Sequence, residues 1–171
     1  LAQGPGTALD VTAGGFATDG GAVDLSASGN LFAGSVGVDA EGAGGARGDV
    51  SLTAAGALAL RDVAARGLTL EAGGPITQAS GVVDAAQAAS ATTAGAEIAL
   101  TAAGNVFDGP LALSTDRDGV DARAAAAATT AGALTLGDVF AGDLTLEAAS
   151  LSQNGGAAAD VTGVDVATGG G

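Results

Sequence analysis

The segment GALALRDVAARGLTLEAGGPITQASG, Gly56–Gly81, carries the pattern that decides the fold. It returns as GALTLGDVFAGDLTLEAASLSQNGG at Gly132–Gly156. Between the 18-residue stretches that begin at Ala55 and Ala131, 13 positions are identical. Self-similarity at a fixed long period is the signature of a repeat architecture, in which one structural unit is stacked along an axis.

The repeat extends over the whole chain of 171 residues. A glutamine marks its period, since Gln3, Gln78 and Gln153 are evenly spaced. Because this period is far longer than one strand, each copy must contain several structural units. We treat the chain as a single domain, 1–171, with three parts: copy one (1–75), copy two (76–150) and a partial third copy (151–171).

A shorter motif inside each copy predicts strands. It has apolar residues at alternating positions, followed by a polar residue, alanine and glycine, as in the LTLEAGG of copy one. Since successive side chains of a β-strand point to opposite faces, Leu68 and Leu70 share one face and Thr69 lies on the other. We expect both leucines to be buried, together with their counterparts in copy two, Leu144 and Leu146.

Composition limits how such strands can fold. Alanine and glycine account for 44 and 31 of the 171 residues, and Trp, Tyr, Cys, Met, His and Lys are absent. Each motif offers too few large apolar side chains for a thick globular core, but stacked coils can share one narrow core. The sequence therefore predicts an all-β fold, a parallel, right-handed β-helix of roughly eight coils with a super-repeat of about 75 residues. Flanking coils of the same chain are its expected neighbours.

Two segments fit the regular pattern less well. Copy two gains residues around Pro110–Asp116 and loses a similar number afterwards, so Val38–Gly48 and Thr115–Thr130 are predicted to project from the solenoid as loops. Within the second segment, the alanine-rich stretch Val120–Thr130 is the best local candidate for a helix.

The missing residue types exclude several kinds of chemistry. Without histidine, cysteine and lysine the chain has no imidazole base, no thiolate nucleophile and no Schiff-base lysine. The net charge of −14 disfavours nucleic acid and anionic membrane surfaces as partners, because binding them requires a basic footprint. No apolar stretch approaches the length of a membrane span. We expect a protein that is not an enzyme and uses no cofactor.

The two quoted segments resemble the repeats of filamentous haemagglutinin-like proteins. These are large exoproteins of Gram-negative bacteria, and many of them are two-partner secretion adhesins. The resemblance covers nearly the whole chain and rests on the pattern G-x-L-x-L-x-D-V followed by L-T-L-x-A and a glutamine. It implies a structural shaft segment of an adhesin that is secreted or attached to the bacterial cell surface. It also implies receptors or glycans of a host or neighbouring cell as partners.

One acidic cluster raises the alternative of a calcium-stabilised β-roll. Asp116, Asp118 and Asp121 lie within six residues, and carboxylate oxygens on a turn are ligands that Ca²⁺ prefers. The cluster lacks the bidentate glutamate of an EF-hand loop and the glycine-rich nonapeptide of calcium-binding β-rolls. The favoured interpretation is an acidic, solvated loop in which Arg117 and Arg123 are the local ion-pair partners.

Carboxylates also raise the alternative of a β-helix that binds or cleaves polysaccharides. Asp62 and Asp138 recur in equivalent Asp-Val pairs, and Glu71 and Glu147 recur after Leu-Thr-Leu. Because a catalytic pair is normally unique along a solenoid, this recurrence favours structural roles. The absence of Trp and Tyr also removes the usual aromatic platform for a sugar ring.

Other polar residues recur at equivalent positions. Asn30 and Asn105 each stand shortly before an inward phenylalanine, and we expect them to be turn residues in a left-handed conformation. The glutamines that mark the period are expected at corners or in interior amide hydrogen bonds. The threonine pairs at 92–93 and 129–130 are expected on the solvated face.

Overall fold

The computed structural model of the chain describes residues 1–4, 6–116 and 122–169. Every regular element among these residues is a β-strand, and none is a helix that could span a membrane. In chain order the strands are β1 (Asp10–Val11), β2 (Gly14–Ala17), β3 (Val23–Leu25), β4 (Leu31–Phe32), β5 (Ser35–Asp39), β6 (Val50–Ala54), β7 (Leu58–Ala65), β8 (Leu68–Ala72), β9 (Ile76–Gln78), β10 (Val83–Ala85), β11 (Ala89–Thr93), β12 (Ile98–Leu100), β13 (Val106–Phe107), β14 (Leu111–Ser114), β15 (Ala126–Thr129), β16 (Ala133–Ala148), β17 (Ser150–Gln153) and β18 (Ala159–Thr168).

The strands stack in parallel as a β-helix of about seven turns. One column of the stack runs through β3, β6, β8, β11 and β14, with each strand paired in parallel with the next. Paired strands in such a ladder lie about 4.8 Å apart, so the turns advance along one axis. The predicted all-β, parallel β-helix is confirmed, with about seven turns where the repeat count predicts roughly eight.

The repeat is not a whole number of turns. In the column of β2, three successive pairings lead from Phe16 to Val83, and four lead from Ala17 to Val106. One repeat, from Gln3 to Gln78, therefore contains more residues than three turns and fewer residues than four turns. Equivalent strands of the two copies therefore fall in different columns: β2 pairs with β5, whereas its copy-two equivalent β11 stacks on β8 and β6. A surface feature that recurs in each copy consequently faces a different direction around the axis.

A narrow apolar core follows the axis through the described turns. Leu68, Leu70, Leu144 and Leu146 are 3%, 1%, 4% and 1% exposed, which confirms the predicted alternation. Fully burying a leucine contributes about 1.5–3 kcal/mol relative to leaving it exposed. Alanines such as Ala65, Ala72 and Ala141 are buried beside larger Leu, Val, Ile and Phe side chains, which agrees with a small cross-section for each turn.

The segment Thr115–Thr130 departs from expectation. Its end, Ala126–Thr129, is strand β15, which pairs with β12 and β16, and no helix forms in the described residues 122–130. Ala126 and Ala128 are each 1% exposed. Small side chains at alternating positions therefore enter the core as a strand, and this burial outweighs the helix propensity of alanine.

The segment Val38–Gly48 projects only in part. Val38 and Asp39 belong to β5, and the projecting part is a short hairpin closed by an antiparallel bridge between Glu41 and Arg47. Gly44 and Gly45, at the tip, have φ values of 82° and 80°, which only glycine adopts without strain.

Candidate functional site

Two amide side chains of copy two, one half-buried and one buried, form an amide cage, which we define as the pair Gln78 and Asn105. Asn105 is 1% exposed. Its Oδ1 accepts hydrogen bonds from Gln78 Nε2 at 2.7 Å and from the Val83 backbone N–H at 2.8 Å. Its Nδ2 donates to Gln78 Oε1 at 2.9 Å and to the Leu100 carbonyl oxygen at 3.1 Å. The buried amide is therefore fully hydrogen-bonded, as burial of a polar group requires.

Copy one contains the same amide cage, formed by Gln3 and Asn30. Asn30 is fully buried and accepts from Gln3 Nε2 at 2.6 Å and from the Leu9 backbone N–H at 3.0 Å. It donates to Gln3 Oε1 at 3.0 Å and to the Leu25 carbonyl oxygen at 2.9 Å. The predicted interior amide bonds of these glutamines are thus present.

The predicted left-handed conformation of the two asparagines is wrong. No described residue other than glycine has a positive φ. Asn30 and Asn105 instead use the side chain to satisfy backbone groups inside the coil. The surface expectation is also wrong for Thr93 and Thr130, which are 0% and 4% exposed. Their hydroxyls donate to backbone carbonyl oxygens, which permits their burial.

Asp62 and Asp138 lie at an equivalent β-bulge in each copy. Asp62 Oδ1 accepts a hydrogen bond from the Val82 backbone N–H at 3.0 Å. Asp138 Oδ1 accepts one from the Ala158 backbone N–H at 2.8 Å. Both N–H groups belong to the following turn, so each aspartate links two turns. This linking contact is the kind of structural role that recurrence favours.

The recurring glutamates are not brought together with these aspartates. Glu71 lies in register with Thr53 and Thr92 on neighbouring strands, and Glu147 lies in register with Thr129. Among the described residues neither glutamate forms a side-chain hydrogen bond or an ion pair.

An arginine clamp fixes the projecting hairpin of copy one. Arg47 donates two hydrogen bonds to Asp84, at 2.7 Å and 2.8 Å, and forms an ion pair with Glu41 at 3.0 Å. The hydrogen bonds with Asp84 raise the pKa of Arg47 above its already high ordinary value, so its charge is permanent. The clamp ties the hairpin to a strand 37 residues further along the chain.

Copy two contains the equivalent clamp around Arg123. Its Nη1 lies 2.8 Å from Asp160 Oδ2, and its Nε donates to Asp116 Oδ2 at 3.2 Å. The hydrogen bonds with Asp160 and then Asp116 raise the pKa of Arg123. Sequence reasoning missed the clamp in copy one, although a signal exists. Arg47 and Arg123 recur at the spacing of the repeat, and each precedes its aspartate by 37 positions.

The candidate calcium loop is only partly within the described residues. Asp116 is held in the clamp by Arg123, and its side chain is 10% exposed, so it is not the solvated residue that we expected. Asp118, Asp121 and Arg117 lie outside the described residues. In the part of the chain that the structure describes, no group of three acidic residues is placed to hold a metal ion.

An open groove of about 920 Å³ crosses the outer face of β2, β5, β7, β10 and β13. One part of its lining is polar, with Arg61 and four carboxylates: Asp39, Asp62, and the clamp residues Glu41 and Asp84, which pair with Arg47. Another part is apolar, with Val82 and Val106, which are 37% and 39% exposed. We call this feature the Arg61 groove. Sequence reasoning missed it because its residues come from five different strands and the segments that join them.

Comparison with known proteins adds a repeat family and no activity. A family model described as repeats of unknown function (DUF5649) matches residues 47–114. This stretch is less than half of the chain and crosses the boundary between copy one and copy two. No curated protein and no solved structure matches the chain. The comparison therefore supports a repeat architecture over residues 47–114 and identifies no function.

Proposed function

We propose that this chain is a shaft segment of a large bacterial adhesin, secreted or attached to the surface of a Gram-negative cell. The observation that carries the proposal is the junction between repeats. Leu58 pairs with Ile76 where copy one meets copy two, and Leu134 pairs with Leu151 where copy two meets the third. Equivalent strands stack in the same register at both junctions. Repeats that continue one another in this way form an extended, quasi-one-dimensional body.

The contacts between turns support a mechanical role. The amide cages, the bulge aspartates and the arginine clamps all link groups that are far apart in the chain, by 20 positions at Asp62, 27 at Asn105 and 37 at Arg47. Each of these links therefore resists separation of neighbouring turns. In a shaft, this resistance keeps a binding region at a distance from the cell.

The resemblance to filamentous haemagglutinin-like repeats supports an extracellular location and a role in cell adhesion. Adhesins of that kind act outside the cell, which agrees with a chain that has five arginines, no lysine and a net charge of −14. The receptors or glycans of a host or neighbouring cell are then engaged by the whole adhesin. Because fold alone does not define function, this step needs a direct test.

The test uses the producing bacterium and the full-length gene product that contains this segment. An antibody raised against the 171-residue chain should label the outside of intact cells. In-frame removal of residues 76–150, one complete repeat, should preserve export and adherence, because the remaining junction keeps the same register. Deletion of the whole gene should abolish adherence by the protein.

Two results would contradict the shaft. Labelling confined to permeabilised cells would remove the extracellular role. Loss of adherence in the one-repeat deletion, with export and labelling intact, would show that residues 76–150 bind the target directly.

Deletion of residues 76–88 is the matched control and should impair export. It joins Pro75 to Ala89 and so brings β11, which belongs to the column of β8, to the place where β9 stacks on β7.

A further inference from the structure

Arg61 differs from the other arginines that the structure describes. Arg47, Arg66 and Arg123 each form ion pairs with carboxylates. Arg61 forms none with the described residues and donates one hydrogen bond, from Nη2 to the Gly14 carbonyl oxygen at 3.1 Å. Its guanidinium group lines the groove. In a chain of net charge −14, an arginine without a carboxylate partner is a donor available to a ligand.

The guanidinium group of Arg61 lies close to the floor of the groove. A Cβ atom on Gly37 would lie 3.7 Å from Arg61 Nη2 and 3.8 Å from Nε, and one on Gly15 would lie 3.9 Å from Nη2. The guanidinium therefore lies along the sheet surface over two positions without side chains. Its hydrogen bond to the Gly14 carbonyl oxygen ties the exposed guanidinium group to the sheet at one point.

The same groove contains acceptors that Arg61 does not reach. Asp39 and Asp62 each use Oδ1 to accept a backbone N–H, from Glu41 and Val82 respectively, at 3.0 Å. Among the described residues neither Oδ2 atom accepts a hydrogen bond, and neither carboxylate is within ion-pair distance of Arg61. A ligand that bridges the two sides must offer both donors and acceptors.

The apolar part of the groove narrows the class of ligand. Val82 and Val106 are among the few exposed large apolar residues of the described chain, and both line this groove. A sugar ring has hydroxyl groups at its rim and C–H groups on its faces, so it matches both parts. An acidic sugar or a free anion would be repelled by Asp39 and Asp62. The groove volume is also in the range of small-molecule sites.

We propose that the Arg61 groove binds a neutral, hydroxyl-rich oligosaccharide. Arg61 donates to ring hydroxyl oxygens, the free oxygens of Asp39 and Asp62 accept hydroxyl protons, and the valines contact a sugar face. The groove exposes no tryptophan or tyrosine ring, so one site binds weakly. This binding goes beyond the shaft role and does not depend on it.

Copy two provides an internal control because it lacks this chemistry. Gly137 occupies the position of Arg61 at the bulge, and Ser90 and Ala112 replace the glycines of the floor. The equivalent surface of copy two is also an open groove, of about 510 Å³ and lined by Ser90, Ala112 and Gly137, but none of the residues that line it is an arginine. The proposal assigns binding to copy one alone.

The experiment is an NMR titration of the isotope-labelled 171-residue chain. The neutral probes are maltohexaose, cellohexaose and xylohexaose, and the acidic probe is a galacturonate oligomer. At least one neutral probe should shift the Arg61 side-chain Nε–H and the backbone amides of Gly15 and Gly37. Arg61→Gln should weaken that binding by about tenfold or more, since a charged hydrogen-bond donor is lost. Arg66→Gln, outside the groove, should leave the affinity unchanged.

Three outcomes would overturn the proposal. The first is that no neutral probe shifts the amides of the groove. The second is equal affinity of the parent chain and Arg61→Gln. The third is binding of the acidic probe alone. Because Arg61 is exposed and lies outside the core, Arg61→Gln should keep the thermal midpoint of the parent. A chemical-shift map of that variant separates loss of binding from loss of fold.

Discussion

Copies one and two have nearly the same contacts between turns and different outer surfaces. The four hydrogen bonds of the amide cage use the same side-chain atoms around Asn30 and Asn105. On the outer face, Arg61 of copy one is replaced by Gly137 of copy two. Phe140 in copy two lies 5.8 Å from the Arg123 guanidinium, measured to the ring centroid, and has no aromatic counterpart in copy one. The repeated sequence therefore specifies how turns are joined, and the unrepeated sequence specifies what the surface offers.

Equivalent strands of the two copies lie on different sides of the axis, and this allows the joining contacts and the outer surface to differ independently. Because one repeat corresponds to between three and four turns, each repeated link is formed on a different side of the axis. A link that functions on any side must depend on contacts between stacked turns and not on one particular face of the solenoid. The amide cage meets this condition, since its backbone partners lie within 22 residues of the asparagine.

The largest effect is expected where the core alternation is broken. Leu70→Asp would place an unpaired charge at a position that is 1% exposed. We expect it to lower the free energy of unfolding by more than about 3 kcal/mol. Thr69→Asp, one residue earlier and on the outer face, is the matched control and should change it by less than about 0.5 kcal/mol. Urea unfolding followed by circular dichroism measures both.

Leu146→Asp extends this test to copy two. Leu146 is also 1% exposed and is the equivalent of Leu70. If the copies have the same core, its cost should match that of Leu70→Asp within experimental error. Equal stability of Leu70→Asp and Thr69→Asp would mean that the alternation is displaced by one residue.

The amide cage should give the second-largest effect. Asn105→Ala removes four hydrogen bonds and leaves the Val83 N–H and the Leu100 carbonyl oxygen without this partner. We expect a loss of roughly 2–4 kcal/mol, because buried polar groups that lose a partner cost about 1–3 kcal/mol each. Gln153→Ala is the control, since among the described residues Gln153 donates only to the Ala157 carbonyl oxygen. Its expected cost is below about 1 kcal/mol.

A double-mutant cycle distinguishes a cage from independent bonds. Gln78→Ala combined with Asn105→Ala should cost less than the sum of the two single variants, with a coupling energy of about 0.5–3 kcal/mol. Additive costs would show that the two amides act separately. That result would contradict the interpretation of the cage as one unit.

Substitution of the two bulge aspartates tests whether the outer surfaces of the two copies stabilise the fold equally. Asp62→Ala and Asp138→Ala each remove one hydrogen bond to a backbone N–H of the next turn. We expect each to cost about 1 kcal/mol, and the two costs to agree. Thermal unfolding of the pair measures the difference directly. A large effect at only one of the two positions would indicate that the bulge has a function in that copy beyond linking turns.

Most of the fold could be predicted from the sequence because its determinants are periodic. The alternation at Leu68 and Leu70 and the spacing of Gln3 and Gln78 each follow from a simple rule about strands or repeats. The failures have a common cause. The sequence predicts that Ala126–Thr129 projects as a loop and that Asn30 adopts a left-handed turn conformation. Instead Ala126 and Ala128 enter the core beside a neighbouring strand, and the buried Asn30 has no positive φ and bonds with backbone groups through its side chain.

The candidate site was less predictable for the same reason. The sequence places Asp62 and Val82 far from Asp39, and only the stacking of turns brings them into one groove. Arg61 also has no counterpart in copy two, so the repeat pattern contains no signal for it. Recurrence identifies the residues that join turns. It gives no signal for residues that act once.

The smallest effect is expected from an ion pair that occurs in copy one alone. Arg66 Nε donates to Asp49 Oδ1 at 2.9 Å, and glycine replaces this arginine at the equivalent position 142. The hydrogen bond from Arg66 lowers the pKa of Asp49 below its ordinary value. A carboxyl group with a lowered pKa in the folded state stabilises the fold above the unfolded-state pKa, and this contribution is lost as the pH falls through the folded-state pKa. Both side chains are more than half exposed, so solvent and salt screen the interaction.

We expect Arg66→Gln to unfold at a slightly lower temperature than the parent at about pH 7, and the gap to close at about pH 2, where Asp49 is protonated. Scanning calorimetry at the two pH values measures this. A gap at neutral pH as large as that of Asn105→Ala would show that an unrepeated surface contact supports the fold as strongly as a repeated one, and the division between joining and surface residues would fail.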